Sequence, residues 1–417
     1  MTLLHPQAPH RVLSPPNRRS VIRWLGGCGL ASNLMPLGAQ VAQPLWTRTL
    51  EQARGQTVYF YAWGGSPPIN DYIQWAAEQA SRRFEVKVGH VKVQDTADVV
   101  RQVRDEVTAG KQDGSVDLIW INGANFSTMK RENLLFGPFA EQLPSFAYVD
   151  TKGKPTTVLD FAEPVDGMEA PWGMAQLTFM ADSKRVEDPP RDLTAWVAFA
   201  AKNPGRLSYP KPPDFHGMTF IKQVLLDLTP PHDRWKLYQP LTTAVFTRMT
   251  SPLWRLLDGL HPTLWRRGKQ FPNSASAQRQ MMSDGELLLA ITFNPNEVAN
   301  EIAAKRLAPT TTSFQFSGGT IGNTHFLAIP INASAKAAAQ VVANFLLSPA
   351  AQARKADISI WGDPTVLDLA RLSPSEQSMF RTNYRAGQLL DNTPTLPEPH
   401  VSWNKQLQNE WARRYGV

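Results

Sequence analysis

The sequence predicts an α/β fold in two lobes, and three observations carry that prediction. A chain of 417 residues has material for more than one core. Short aromatic and β-branched runs alternate with amphipathic helical stretches, the pattern of open sheets joined by right-handed crossovers. The alternation pauses in a loop-rich stretch, 135–170, holding Pro138, Pro144, Pro155 and Pro164, and then starts again.

The first run, Thr57 to Trp63, reads as a buried strand by length and composition. It enters Gly64-Gly65-Ser66-Pro67, a helix opening with Ser66 as N-cap and Pro67 at the first helical position. The following helix places Ile69, Tyr72, Ile73, Ala76, Ala80 and Phe84 on one face. A second strand spans Glu85 to Val93, and Asp95 or Thr96 opens a helix that buries Val99, Val100, Val103 and Val107 and closes at Gly110. Val116 to Ile121 forms a third strand, breaking at Asn122-Gly123-Ala124-Asn125. Ala170 to Ala181 reads as a long strand with Pro171 and Gly173 at its mouth, placed to cross between lobes. The second stretch begins at Gly205 and has a helix around Phe220, Val224, Leu225 and Leu228. It continues with a strand from Glu286 to Phe293 and a helix opened by Asn294-Pro295. The chain crosses back near 324–330, and helices follow from Ser334.

Composition removes several function classes. The formal charge is +7, but Arg11, Arg18, Arg19 and Arg23 all fall within residues 1–42, which carry no acid. Taking these four from 43 bases leaves 39 against 36 acids, a body of +3 without the clustered basic footprint that nucleic acid requires. The one cysteine, Cys28, lies in the same segment, so the body has no disulfide framework, thiolate zinc site or cysteine nucleophile. Residues 1–42 read as a secretory leader, and the Arg18-Arg19 pair ahead of a weakly apolar Gly/Ala stretch points to the twin-arginine route. Leu25-Gly26-Gly27-Cys28 has the look of a lipobox, but Arg23 interrupts its short apolar segment, which argues for a soluble exported protein over a lipid-anchored one.

At this point a resemblance enters. Val116 to Gly123 resembles the signature strand of the bacterial periplasmic solute-binding proteins of ABC importers. Phe326 to Ala333, running into a helix that ends Asn344-Phe345-Leu346-Leu347-Ser348-Pro349, is similar to the strand and helix that return to their first lobe. Gly205-Arg206-Leu207-Ser208-Tyr209-Pro210 resembles the opening of their second lobe, with Pro213 to Gly217 also in place. Together with Trp361 to Asp368 these segments resemble the YnjB-like subfamily over roughly residues 55–370. The resemblance implies a type II periplasmic-binding fold in which a hinge and an interlobe cleft close on a solute. It implies a first lobe over 55–178, a second over 179–324, and a return to the first over 325–417 with C-terminal helices. It also implies an importer permease in the inner membrane as partner, a monomer, and no cofactor or metal.

The candidate contacts are strand-end and crossing residues, since ligands of open α/β sheets bind beyond the carboxyl ends of strands. They are Trp63, Gly64, Gly65 and Ser66; Asn122, Gly123, Asn125 and Phe126; Trp172 and Gln176; Asp214 and Phe215; Asn294 and Glu297; and Asn323 and Thr324. Each has a plainer reading. Aromatic residues fill cores, Asn serves turns, and Asp214 and Glu297 serve as caps or solvated acids. The chain lacks a nucleophile elbow, an H-E-x-x-H pair, a Walker loop and a dinucleotide fingerprint, which argues against an enzyme. An exported hydrolase using cleft carboxylates and a ligand-free scaffold are the alternatives. Eight tyrosines without an adjacent pair argue against iron. Aromatic walls with Asn and an acid suit a thiamine-like, polyamine-like or sugar-like solute, in that order.

Overall fold

The computed structural model describes residues 37–381, 386–387, 389 and 393–416. The chain divides after Val41, and the unit described here is Ala42–Val417. Most of the leader reading therefore falls on residues 1–36, outside the described residues.

Two sheets organise the unit. In the larger, the strand Thr57–Trp63 runs parallel to both Lys87–Val93 and Leu118–Ile121. Thr320–Ala328 lies antiparallel beside Leu118–Ile121, and Glu169–Gln176 and Thr395–Leu396 both pair with Thr320–Ala328. The smaller sheet has Thr178–Asp182 between Leu289–Thr292 and Thr311–Phe314, all antiparallel. The long strand expected over 170–181 is thus two strands that part at Leu177, whose N–H donates to Ile321 O at 2.8 Å. That break carries the chain from one sheet to the other, and Thr311–Phe314 leading into Thr320–Ala328 carries it back.

Local rules account for the elements. Pro67 opens its helix at the first position, and Ile69, Tyr72, Ile73, Ala76 and Ala80 are buried as their spacing predicts. Asp95 caps the next helix by accepting from Ala97 N, and Val99, Val100 and Val103 face inward. Gly110 takes φ +75° beyond that helix's end, a conformation only glycine adopts without strain. The strand Thr57–Trp63 is buried on one face only: Val58, Phe60 and Ala62 are covered, while Tyr59 and Trp63 are exposed. Tyr61, on the other face, is half-buried against Val99 and its neighbours, so that face is covered in part.

Each sheet has its own core. Val58, Phe60, Tyr72, Trp172, Phe345 and Trp361 belong to the first, with a neighbouring cluster around Val99, Ile121 and Phe126. Phe179, Trp196, Tyr209, Phe220, Trp254 and Phe314 belong to the second. Of the stretch 325–417, the helices Lys336–Leu347 and Pro349–Ala356 rejoin the first core. The helix Ser402–Tyr415 packs instead in the second, through Trp403, Leu407 and Trp411. Its indole Trp411 Nε1 donates to Tyr209 Oη at 2.9 Å, and Tyr209 Oη lies 2.7 Å from His261 Nε2. Burial pushes His261 down to about 4, so it is a neutral structural histidine.

Candidate functional site

The residues singled out from sequence separate into four places. The first is the strand-end loop. Trp63 is exposed, and its indole lies against Gly65, where an added Cβ would sit 2.3 Å from the ring. Gly64 is similarly crowded by Lys92. Glycine at both positions lets the loop fold under the indole. Ser66 holds the N-cap position without making a side-chain cap bond.

At the second place, the break expected at Asn122 is a helix start. Gly123–Arg131 is helical, Asn122 is its N-cap residue, and Asn125 lies in its first turn. Two expected aromatic walls are core residues here. Phe126 is fully buried in the cluster beside the first core, and Trp172 is fully buried beneath Phe60, Trp120 and Trp361. Large aromatic side chains bury 150–250 Å² each, about the largest burial gain available to one residue, so packing claims them ahead of a wet surface.

The third place is on the second sheet's side. Asp214 caps the helix Phe215–Leu228, accepting from His216 N at 2.9 Å and Gly217 N at 3.1 Å. Glu297 pairs with Arg279 and accepts from the Thr292 hydroxyl. Asp214 is thus a cap, as its plainer reading has it, whereas Glu297 is neither a cap nor a solvated acid but one half of an ion pair. Gln176 is held at the crossing, donating to Pro394 O at 3.2 Å.

The fourth place joins both cores, and most of its members were not singled out from sequence. Gly123 N donates to Asp160 Oδ2 at 2.5 Å, and its Cα faces the Phe161 ring, 3.0 Å from where a Cβ would stand. Across from it, the helix Phe215–Leu228 turns Lys222 toward that ring, with Nζ 4.6 Å from the centroid of Phe161 and 6.0 Å from that of Phe215. Lys222 Nζ also lies 2.6 Å from Glu398 Oε2, both side chains being 1% exposed. Asn323 Nδ2 donates to Glu398 Oε1 at 3.3 Å, and Thr324 Oγ1 donates to Thr156 Oγ1 at 3.0 Å. Gly123, Phe215 and Asn323 are therefore the expected residues that the fold brings together, while Thr324 bonds Thr156.

The electrostatics of this cluster are acidic and under-donated. Burial pushes Asp160 well above the usual carboxyl range, outweighing the Gly123 N–H, with Glu398 and Glu163 adding repulsion. Burial does the same to Glu169, helped by Asp160. Burial also raises Glu398, against the pull of Lys222. Asp160 Oδ1, both oxygens of Glu169 and Asn323 Oδ1 are buried acceptors without a donor. An unpaired buried acceptor costs about 1–3 kcal/mol, so several in one neighbourhood call for donors.

A second cluster spans the two cores near the crossings. Asp363 accepts from His325 Nε2 at 2.9 Å and pairs with the buried Lys355. Trp361 and Gly362 present their carbonyls to the second sheet's side: Asn294 Nδ2 and Asn300 Nδ2 donate to Trp361 O at 3.3 and 2.6 Å, and Asn296 Nδ2 donates to Gly362 O at 2.6 Å. Gly362 takes φ +78°, and a Cβ there would meet Asn296 Cβ at 2.7 Å. Asn294, expected to touch ligand, is thus spent on an interlobe bond. Asn300→Ala is expected to loosen the contact between the cores and weaken solute binding by about three- to tenfold, the worth of one net hydrogen bond. Titration calorimetry with any bound solute checks this, and an unchanged affinity would show that the contact does not bear on closure.

The comparisons with known proteins agree with this architecture. The family described as bacterial extracellular solute-binding protein matches residues 74–378. Protein YnjB of Escherichia coli strain K12 is 45% identical over 373 residues, covering 89% of this chain and 94% of its own. Among solved structures, the periplasmic binding protein AfuA from Actinobacillus pleuropneumoniae, with fructose-6-phosphate bound, superposes with TM-score 0.59 at 14% identity over 87% of this chain and 99% of its own. The spermidine/putrescine ABC transporter substrate-binding protein PotD from Streptococcus pneumoniae gives 0.57 at 12% identity, over 87% and 96%. These likenesses confirm the two-lobed α/β fold expected from sequence. With the matched segment spanning most of the described unit, the chain belongs to the family of bacterial extracellular solute-binding proteins.

Proposed function

We propose that the protein captures a small organic cation carrying amine groups between its two lobes and delivers it to an ABC importer permease. The observation that carries the solute class is the surplus of buried carboxyl acceptors around Phe161 and Lys222. Asp160 Oδ1 and both oxygens of Glu169 lack donors, and the cluster holds Glu163 and Glu398 against a single buried lysine. An ammonium group would donate to those oxygens and rest on an aromatic face, an arrangement that stabilises organic cations. A polyamine-like solute fits this better than a thiamine-like one, because the flat aromatic slot expected of Trp172 and Phe126 is filled by core packing. The name of the PotD neighbour, which refers to spermidine and putrescine, supports the same class. Trp63, exposed at its strand end, serves as an outer stacking surface with Gly64, Gly65 and Ser66.

Capture works by closure. The lobes turn about the crossings at Leu177 and between Phe314 and Thr320, and solute contacts made to both sides favour the closed state. The mature protein is a soluble, exported monomer released from a leader that ends near residue 42. Its work is binding, as the solute-binding family to which the chain belongs supports.

The test is thermal unfolding of residues 43–417 against amines, thiamine, sugars, amino acids and oxyanions. A solute at 1,000 times its dissociation constant stabilises by about 4 kcal/mol, which moves the midpoint by several degrees. The expected hits are diamines or polyamines, recovered unaltered by mass spectrometry. A hit confined to sugars or oxyanions would overturn the cation reading, and a converted solute would overturn the binding reading.

A further inference from the structure

We propose that Glu398, carried into the cleft by the segment 393–401, sets the charge preference of the solute site. The inference rests on the cluster around Phe161 and Lys222 being that site.

The segment starts as the edge strand of the larger sheet and is pinned at both ends. Thr395 and Leu396 run parallel to Thr320 and Ile321, and Pro394 O accepts from Thr320 N at 3.2 Å. At the other end, His400 N donates to Leu237 O at 2.8 Å on the second side, and Val401 N donates to Phe161 O at 3.1 Å on the first. Between these anchors Glu398 is 2% exposed and makes two contacts, to Lys222 and to Asn323. The segment therefore straddles the two lobes and delivers one carboxylate onto the ammonium.

That carboxylate decides the sign of the site. With Glu398 in place, the Lys222 charge is cancelled, and the remaining groups, Asp160 and Glu163 among them, favour a cation. Without it, Lys222 is a buried ammonium held between the rings of Phe161 and Phe215 and stripped of the carboxylate that pairs with it. An uncompensated buried charge recruits an opposite one, so the same pocket then favours an anion. Specificity is a difference of affinities, and a charge left unpaired against the wrong partner supplies much of it.

The experiment measures binding of 1,4-diaminobutane and of ethane-1,2-disulfonate, matched probes of opposite charge, to the wild-type protein, Glu398→Gln and the double variant Glu398→Gln/Lys222→Gln. Glu398→Gln is expected to gain at least tenfold in disulfonate affinity and to lose diamine affinity by a similar factor. The double variant is expected to lose the disulfonate gain, because the anion's partner is gone. If Glu398→Gln binds disulfonate no better than wild type, or if the double variant keeps the gain, the inference is overturned. Should Glu398→Gln fail to fold, the wild type supplies the same readout. Glu398 faces Lys222, Asn323, Asp160 and Tyr238, and its raised pKa means that acidification neutralises it early. Disulfonate affinity must then rise as pH falls, and a flat profile overturns the proposal. A wild type that binds no diamine while Glu398→Gln gains disulfonate would sink the cation reading and leave this inference standing.

Discussion

Asp160→Asn is expected to weaken binding of an organic cation by about ten- to a hundredfold, the worth of one hydrogen bond to a charged group. The substitution keeps an acceptor for the Gly123 N–H, which Asp160 Oδ2 now receives at 2.5 Å, and so spares the helix start. It removes the oxygen, Oδ1, that has no donor. The sign of the pH dependence follows from burial. In the free protein burial pushes the carboxyl up; a bound ammonium favours the ionised form, so below the raised pKa binding releases a proton. Affinity for the cation therefore rises with pH until the raised pKa is passed and is flat above it. Calorimetry in two buffers of different ionisation enthalpy reads the proton directly, and Asp160→Asn must abolish it. Equal affinity and equal proton release in the two proteins would remove Asp160 from the site.

The same shift makes a stability statement. A carboxyl whose folded pKa is raised contributes stability that is complete below its unfolded value, about 3.9, and is lost as pH rises through the folded one. Wild-type stability without solute should fall across that window, and Asp160→Asn should flatten the fall.

The second large effect concerns Asp363. Burial alone would raise its carboxyl, but the Lys355 ammonium and His325 beside it hold it below the usual range. Burial in turn lowers Lys355, against the pull of Asp363. The pair is therefore ionised and mutually dependent at the junction of Trp120, Trp172 and Trp361. Asp363→Ala leaves an ammonium buried without a partner and is expected to cost about 3–5 kcal/mol in urea unfolding. Adding Lys355→Met should recover much of that loss, because a buried pair replaced by apolar groups is close to neutral. A loss under 1 kcal/mol for the single variant would show that the pair is solvated in solution.

Much of the fold was legible because it is local. Val58, Phe60 and Ala62 alternate, Pro67 and Asp95 sit at helix starts, and the apolar face from Ile69 to Ala80 recurs at helical spacing. The helix starting at Gly123 was read as a turn, since Asn-Gly-Ala-Asn carries turn residues and its capping partner, Asp160, lies 37 residues on. Of the residues in the proposed site, strand-end reasoning picks out Gly123 and Asn323, and the family pattern picks out Phe215. It also selected Trp172 and Phe126, whose side chains the cores claim.

Asp160, Phe161, Lys222 and Glu398 carry no sequence signal as single residues. Phe161 stands in a proline-rich loop, Lys222 in the middle of a helix, and Glu398 in Leu396-Pro397-Glu398-Pro399 near the end of the chain. A lysine on a helix is read as solvated until something buries it, and what buries Lys222 arrives from positions 61 residues before it and 176 after it. Periodicity, capping and turn chemistry act within a few residues, so the sequence by itself determined the two-lobed α/β architecture and the family pattern. Burial and charge pairing act through space, and only the tertiary structure decided which aromatic rings remained for the site and which carboxylate faces its one buried ammonium.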